Sequence, residues 1–215
     1  NVFTALEFAE KCEAWITDHK ISKPYRETWL ELQGFYAKEL SLTYEAPHSI
    51  VKSRTFRPTS TDSEVIFSQL SKNIEAACVK ARRHHLRAGG IRFYLKTQAF
   101  TYHAKDFSLP LPTSSPIEII ALVKKYFMEV YRKNVEYRAT GVSLSGFVKE
   151  DNIRADLFGK SKETERQAEV FRVVDRVSHR YGEHSIYLGS SSKALGVSKG
   201  KPGKTINIPF LGVVR

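Results

Sequence analysis

The chain has 215 residues, with 34 Lys and Arg against 23 Asp and Glu, a formal charge of +11 and a pI near 9.6. At 41% hydrophobic and 12% aromatic it is too apolar for a disordered chain, and its length allows one or two domains with cores of their own. No stretch approaches the roughly 18 to 20 apolar residues of a membrane span, no secretory pattern opens it, and we expect no membrane partner. Cys12 and Cys78 stand far apart inside helical patterns, which excludes a disulfide scaffold and fits a reducing, cytoplasmic setting. The chain opens on Asn1 rather than Met, so we expect a piece of a longer protein.

The charge is unevenly placed. Residues 1–48 hold 5 Lys and Arg against 8 Asp and Glu, residues 49–148 hold 16 against 7, and residues 149–215 hold 13 against 8. A surplus gathered in the middle of the chain is what a polyanion-binding domain shows; a generally basic soluble surface is the plain alternative.

In chain order, Thr4 and Glu7 have capping-box spacing, and Ala5, Phe8, Cys12, Trp15 and Ile16 recur at helical intervals. Pro24 suits the first turn of a further helix carrying Trp29 and Leu32 before Gly34. Two tryptophans on so short a helical segment call for a partner surface. Glu45 to His48 reads as a linker.

Ser49 to Phe56 is β-branched enough for a strand ended by Pro58. Thr61 to Glu64 forms a capping box for a helix with Phe67, Leu70, Ile74, Ala77 and Ala81 as its stripe, stopped by Gly89-Gly90. In Ile91 to Lys96, alternation puts Ile91, Phe93 and Leu95 on one face and Arg92, Tyr94 and Lys96 on the other. A second strand, about Thr101 to Leu109, completes a hairpin. Ser115 to Glu118 caps another helix, with Ile117, Ile120, Phe127 and Tyr131 as its stripe, and Tyr137 to Val148 alternates again. The order is β-α-β-β-α-β, a ferredoxin-like α+β arrangement with a four-stranded antiparallel or mixed sheet and both helices on one face. The other face is left to solvent or a partner. Beyond it, Thr164 to Tyr181 reads as a helix closed by Gly182, His184 to Gly189 as a strand, Lys193 to Lys204 as a mobile basic loop, and Thr205 to Leu211 as a last strand.

Catalytic signatures are missing. There is no GxxxxGK[ST], HExxH or GxSxG pattern and no Cys cluster, so no catalytic or metal-ligating residue is assigned. His84-His85 lies on a basic helix face, and the carboxylates of the middle region read as caps or solvated helix residues.

A resemblance then becomes specific. Ser49-Ile-Val-Lys-Ser-Arg-Thr-Phe56, the Ile91 to Leu109 hairpin and Arg138-Ala-Thr-Gly-Val-Ser-Leu-Ser-Gly146 occur in the order and spacing of the little finger, the extra DNA-binding domain of Y-family translesion DNA polymerases. Residues 1–46, including Leu32-Gln33-Gly34, resemble the end of the thumb that precedes it, though its helix-hairpin-helix glycine motif is absent. The resemblance implies a little finger over 49–149, a linker over 150–160 and a C-terminal extension over 161–215. The tail resembles the extension of polymerase V-type members. Palm and fingers would lie upstream, and the palm would supply the carboxylates for Mg²⁺. This chain alone would hold no cofactor and would not polymerise, while its parent would be a DNA-directed DNA polymerase.

The implied partner is double-stranded or primer-template DNA, gripped through its backbones during damage tolerance, with a nucleoid-associated location. By matching position the resemblance assigns DNA contacts to Lys52, Ser53, Arg54, Thr55, Lys96, Lys105 and Arg138; alternation adds Arg92 and Tyr94. Alternation also puts Arg138 on the side of core-like Val142, a conflict that a bulge or strong twist near Gly141 would resolve. Asp156-Leu157-Phe158 matches the end of the family's sliding-clamp-binding peptide but lacks its Gln-Leu start; the alternative is that Leu157 and Phe158 pack on the tail helix. A different class stays open: RNA-recognition modules that bind single strands share the element order, but Thr101 to Phe107 does not fit their aromatic motif, and the free face reads as more cationic than aromatic.

Overall fold

The computed structural model describes residues 2–37, 46–150 and 160–196, and divides into two compact units at Ala46/Pro47. In the first unit three short helices, α1 (Ala5–Ala9), α2 (Glu13–Asp18) and α3 (Lys23–Leu32), follow from the local signals. Thr4 caps α1 by accepting from the Glu7 amide at 3.2 Å, and Pro24 sits in the first turn of α3. Trp29 finds its partner within the unit: it is buried, and its indole N–H donates to the Lys11 carbonyl at 3.0 Å. Trp15 remains half-exposed, its ring stacked 4.2 Å from that of His19.

The second unit begins with β1 (Ile50–Ser60), α4 (Ser63–Arg83), β2 (Leu86–Thr97), β3 (Tyr102–Thr113), α5 (Pro116–Val130) and β4 (Tyr137–Lys149). The sheet order is β1-β4-β2-β3 with every neighbouring pair antiparallel. β1 and β2 therefore run parallel with β4 between them, and β3 and β4 run parallel with β2 between them. Each helix crosses over from one strand to the parallel one beyond a neighbour, which is the split-βαβ unit used twice. Both helices cover one face. Ile50, Phe56, Ile91, Phe93, Leu95, Leu109, Tyr137, Val142 and Leu144 from the sheet meet Ile66, Leu70, Ile74, Ala77 and Ala81 of α4 and Ile119, Ile120, Val123, Phe127 and Val130 of α5.

Several local expectations shift. The α4 cap is Asp62, whose carboxylate accepts from the Glu64 amide at 2.8 Å; Thr61 does not serve. The helix ends at Arg83, before the glycines, because His85 takes a left-handed φ of 53°. Gly89 belongs to β2 instead, where the neighbouring strand comes so close that a Cβ would lie 2.8 Å from the Gly146 carbonyl oxygen. Ser115 precedes α5 without capping it and hydrogen-bonds Gln167 through its hydroxyl at 2.6 Å. Ile117 is exposed, and Ile119, Val123 and Val130 take its place in the buried stripe.

The tail forms a third layer. It comprises α6 (Lys160–Tyr181), a 3₁₀ turn at Gly189–Ser191 and α7 (Ser192–Gly196). Residues 184–188 form no strand: this backbone bonds to a helix, the Leu188 amide donating to the Glu75 carboxylate of α4 at 3.2 Å. Ser191 also bonds Glu75, and the Ala194 amide donates to Ser68 at 2.9 Å. Lys193, expected in a mobile loop, lies in α7 and pairs with Glu64. Arg82 of α4 forks onto Asp175 of α6 at 2.7 and 2.8 Å, donates to the Ser114 carbonyl at 2.7 Å, and lies 5.1 Å from the Phe171 ring centroid. Ser68 and Arg82 are buried where the tail bonds them. The strand expected over Thr205 to Leu211 lies outside the described residues.

Candidate nucleic-acid interface

The strand registers fix which side chains share the uncovered face. On β2, Arg92, Tyr94 and Lys96 point away from the helices, because Ile91, Phe93 and Leu95 between them are buried. Opposite them on β4 stand Ser143, Gly141 and Ala139, and on β3 Asp106, Ala104 and Tyr102. From β1 this face receives Val51, Ser53 and Thr55, which pair with Ser143, Gly141 and Ala139.

Arg138 reaches the same face through an interrupted register. Lys96 pairs with Ala139 and Thr97 with Tyr137, so Arg138 is an extra residue with no partner across the strand. A bulge lets successive residues break the alternation. Tyr137 turns into the core, fully buried, with its hydroxyl accepting from the Arg132 amide at 2.9 Å, while the Arg138 guanidinium lies 4.4 Å from the Phe100 ring centroid. The conflict between Arg138 and Val142 is thereby removed, and the irregularity sits at Arg138 itself. Gly141 instead makes room for a side chain, since the Tyr94 ring occupies the space where its Cβ would be.

Three of the matched cations lie elsewhere. Lys52 and Arg54 pair with Val142 and Thr140 and share the helix side of β1 with Ile50 and Phe56. Arg54 there faces Lys72 of α4; burial first, and Arg54 second, holds the Lys72 ammonium below its ordinary range. Lys105 pairs across from Phe93, on the helix side, where its ammonium meets Glu129 of α5 at 2.7 Å and the Tyr126 ring at 5.3 Å. The hydrogen bond to Glu129 raises the Lys105 pKa. The open face thus gathers Ser53, Thr55, Arg92, Tyr94, Lys96 and Arg138, and separates them from Lys52, Arg54 and Lys105.

Three residues were missing from the sequence expectation. Asp106 places a carboxylate on the open face, 3.6 Å from Arg92. Phe100 and Tyr102 bring rings: the Lys96 ammonium lies 4.8 Å from the Phe100 centroid and 4.7 Å from that of Tyr102, and Tyr102 lies 5.4 Å from Tyr94. The face is therefore as aromatic as it is cationic at this corner, contrary to the sequence expectation. The signal was a Phe inside the short turn between β2 and β3, where there is no core to fill. Among the described residues no group of three or more His, Cys, Asp and Glu could hold a metal ion, and no helix is long and apolar enough to cross a membrane. Asp156, Leu157 and Phe158 lie outside the described residues.

The fold and the face together define an α+β domain of split-βαβ order whose open sheet face carries cations brought there by alternation and a bulge. Residues 47–157, just over half of the chain, match the impB/mucB/samB family C-terminal domain, and the chain belongs to this family, that of UmuC-, ImpB- and DinB-type Y-family polymerases. Protein UmuC of Salmonella typhimurium is 26% identical over 193 residues, spanning 87% of this chain and 46% of the relative. DNA polymerase IV of Moorella thermoacetica is 30% identical over 158 residues, spanning 71% and 36%. The chain thus spans less than half the length of these curated relatives. Among solved structures, DinB from Sulfolobus solfataricus aligns at 14% identity with a TM-score of 0.42, covering 66% of this chain and 41% of that one. A chain from a complex of the beta-clamp processivity factor with the little finger domain of PolIV aligns at 18% identity with a TM-score of 0.37, covering 51% and 98%.

Proposed function

We propose that this chain is the DNA-gripping C-terminal part of an error-prone translesion polymerase. Its open sheet face lies against primer-template DNA, with Arg92, Lys96 and Arg138 on phosphates and the hydroxyls of Ser53 and Thr55 adding backbone hydrogen bonds. The observation that carries this reading is the bulge that turns Arg138 out of the core to join Lys96. Contacts of this kind position a duplex without reading its sequence, which suits an enzyme that must accept damaged templates. Family membership supports the duplex reading and does not favour the RNA-recognition alternative.

Polymerisation itself belongs to palm and fingers upstream in the parent protein, where Mg²⁺ would be held by palm carboxylates. The sheet domain contributes binding and orientation. Asp156-Leu157-Phe158 would dock a sliding clamp by placing Leu157 and Phe158 in an apolar pocket; a Leu157→Ala/Phe158→Ala protein should then lose clamp binding while keeping DNA binding.

Titrating salt against the affinity of the whole chain for a duplex tests the central part. Affinity should fall steeply between about 50 and 200 mM salt and vary little with sequence. An affinity that salt leaves unchanged would contradict the phosphate-contact reading.

A further inference from the structure

Phe100 is poorly explained by the fold. It stands in the four-residue turn between β2 and β3, at a left-handed φ of 65° that a bulky side chain adopts rarely, and it is 60% exposed. Tyr102, at the start of β3, is 57% exposed, so neither ring contributes much burial. What holds them is charge: Lys96 lies within 5 Å of both centroids, and Arg138 covers Phe100 at 4.4 Å. Tyr94, tilted 60° to Tyr102, continues the ring patch toward the centre of the face.

An unpaired nucleotide has the matching chemistry. Its base offers a free π face to a ring, and its phosphate is within the class of anions that Lys96 and Arg138 attract. Bases inside a duplex are already stacked on both sides and offer no such face. Arg92, the third cation of the open face, lies further along β2 on the side left to the adjoining duplex. We infer that the Phe100–Tyr102 corner stacks an unpaired DNA base beside the duplex, so that the chain grips a junction of single and double strand more tightly than duplex alone. This deepens the DNA-interface reading and rests on it.

The test uses the whole 215-residue chain and labelled DNA in anisotropy titrations. The probes are a blunt duplex, the same duplex with a 5′ or a 3′ overhang, and overhangs in which abasic sites keep the phosphates and remove the bases. An overhang of at least one polarity should bind about tenfold more tightly than the blunt duplex, and the abasic form should lose that gain. Phe100→Ala/Tyr102→Ala should abolish the gain of the overhang over the blunt duplex, both measured on the same variant, and Phe100→Trp/Tyr102→Trp should restore it. An abasic overhang that binds as well as the intact one, or a gain that survives the alanine double change, overturns the inference while the duplex reading stands. An RNA overhang that binds more tightly than DNA overturns the choice of DNA. No binding to any of the duplexes overturns both readings.

Discussion

Tyr94 and Gly141, partners across β2 and β4, are fitted to each other: a Cβ on Gly141 would lie 2.3 Å from Tyr94 Cζ and 2.5 Å from its hydroxyl oxygen. The ring can lie down on the open face only because its neighbour has no side chain. Gly141→Ala should therefore cost about 1 to 3 kcal/mol through overpacking. In a double-mutant cycle read by urea denaturation, Tyr94→Ala should cancel most of that loss. Additive effects would mean that the ring does not occupy this space.

The ion pair between buried Arg82 and part-buried Asp175 joins the tail to the sheet domain. Asp175→Ala strips the buried Arg82 guanidinium of its two carboxylate hydrogen bonds and leaves it the bond to the Ser114 carbonyl and the Phe171 ring contact. Stability should fall by about 3 kcal/mol, and the amides of α6 should lose protection from hydrogen exchange before those of β2 and β4. Simultaneous loss of protection in all three would show that the tail and sheet unfold as one unit.

Glu75 gives the tail contact a pH dependence. Burial raises its pKa above the ordinary 4.5, outweighing the hydrogen bonds from Ser191 and Leu188 and the charges of Lys72 and Arg82. A carboxyl that holds its proton more tightly when folded adds stability that is complete below pH 4.5 and is lost as pH rises through its folded pKa. Relative to a Glu75→Gln protein, the wild type should lose stability as pH climbs from about 4.5 toward neutrality. A stability difference that stays flat over that range would contradict a raised Glu75 pKa.

Much of this was legible in the sequence because alternation and helical spacing are local. The two faces of Ile91 to Lys96 follow from period 2 alone, and the element order from period 2 and helical spacing together. The same rule already separates Lys105, which shares parity with Phe107, from Asp106, and puts Lys52 and Arg54 with Ile50 and Phe56. The resemblance groups all of these cations as DNA contacts, whereas parity sorts them onto the two faces of the sheet. The bulge at Arg138 was not legible, because whether Tyr137 or Arg138 turns inward depends on the core space beside it. Nor was the burial of Arg82 on a helix face that looks solvated, since its partner Asp175 comes from the distant tail.

The open-face account turns on which cations meet the DNA. The decisive measurement is the slope of log affinity against log salt for a duplex, compared among the wild type, Arg138→Gln and Lys105→Gln. Removing one phosphate contact should lower the slope by about 0.9 in Arg138→Gln. Lys105→Gln, altered on the helix side, should keep the wild-type slope. A Lys105→Gln slope that falls while that of Arg138→Gln stays at the wild-type value would place the DNA on the other side of the sheet and contradict the account.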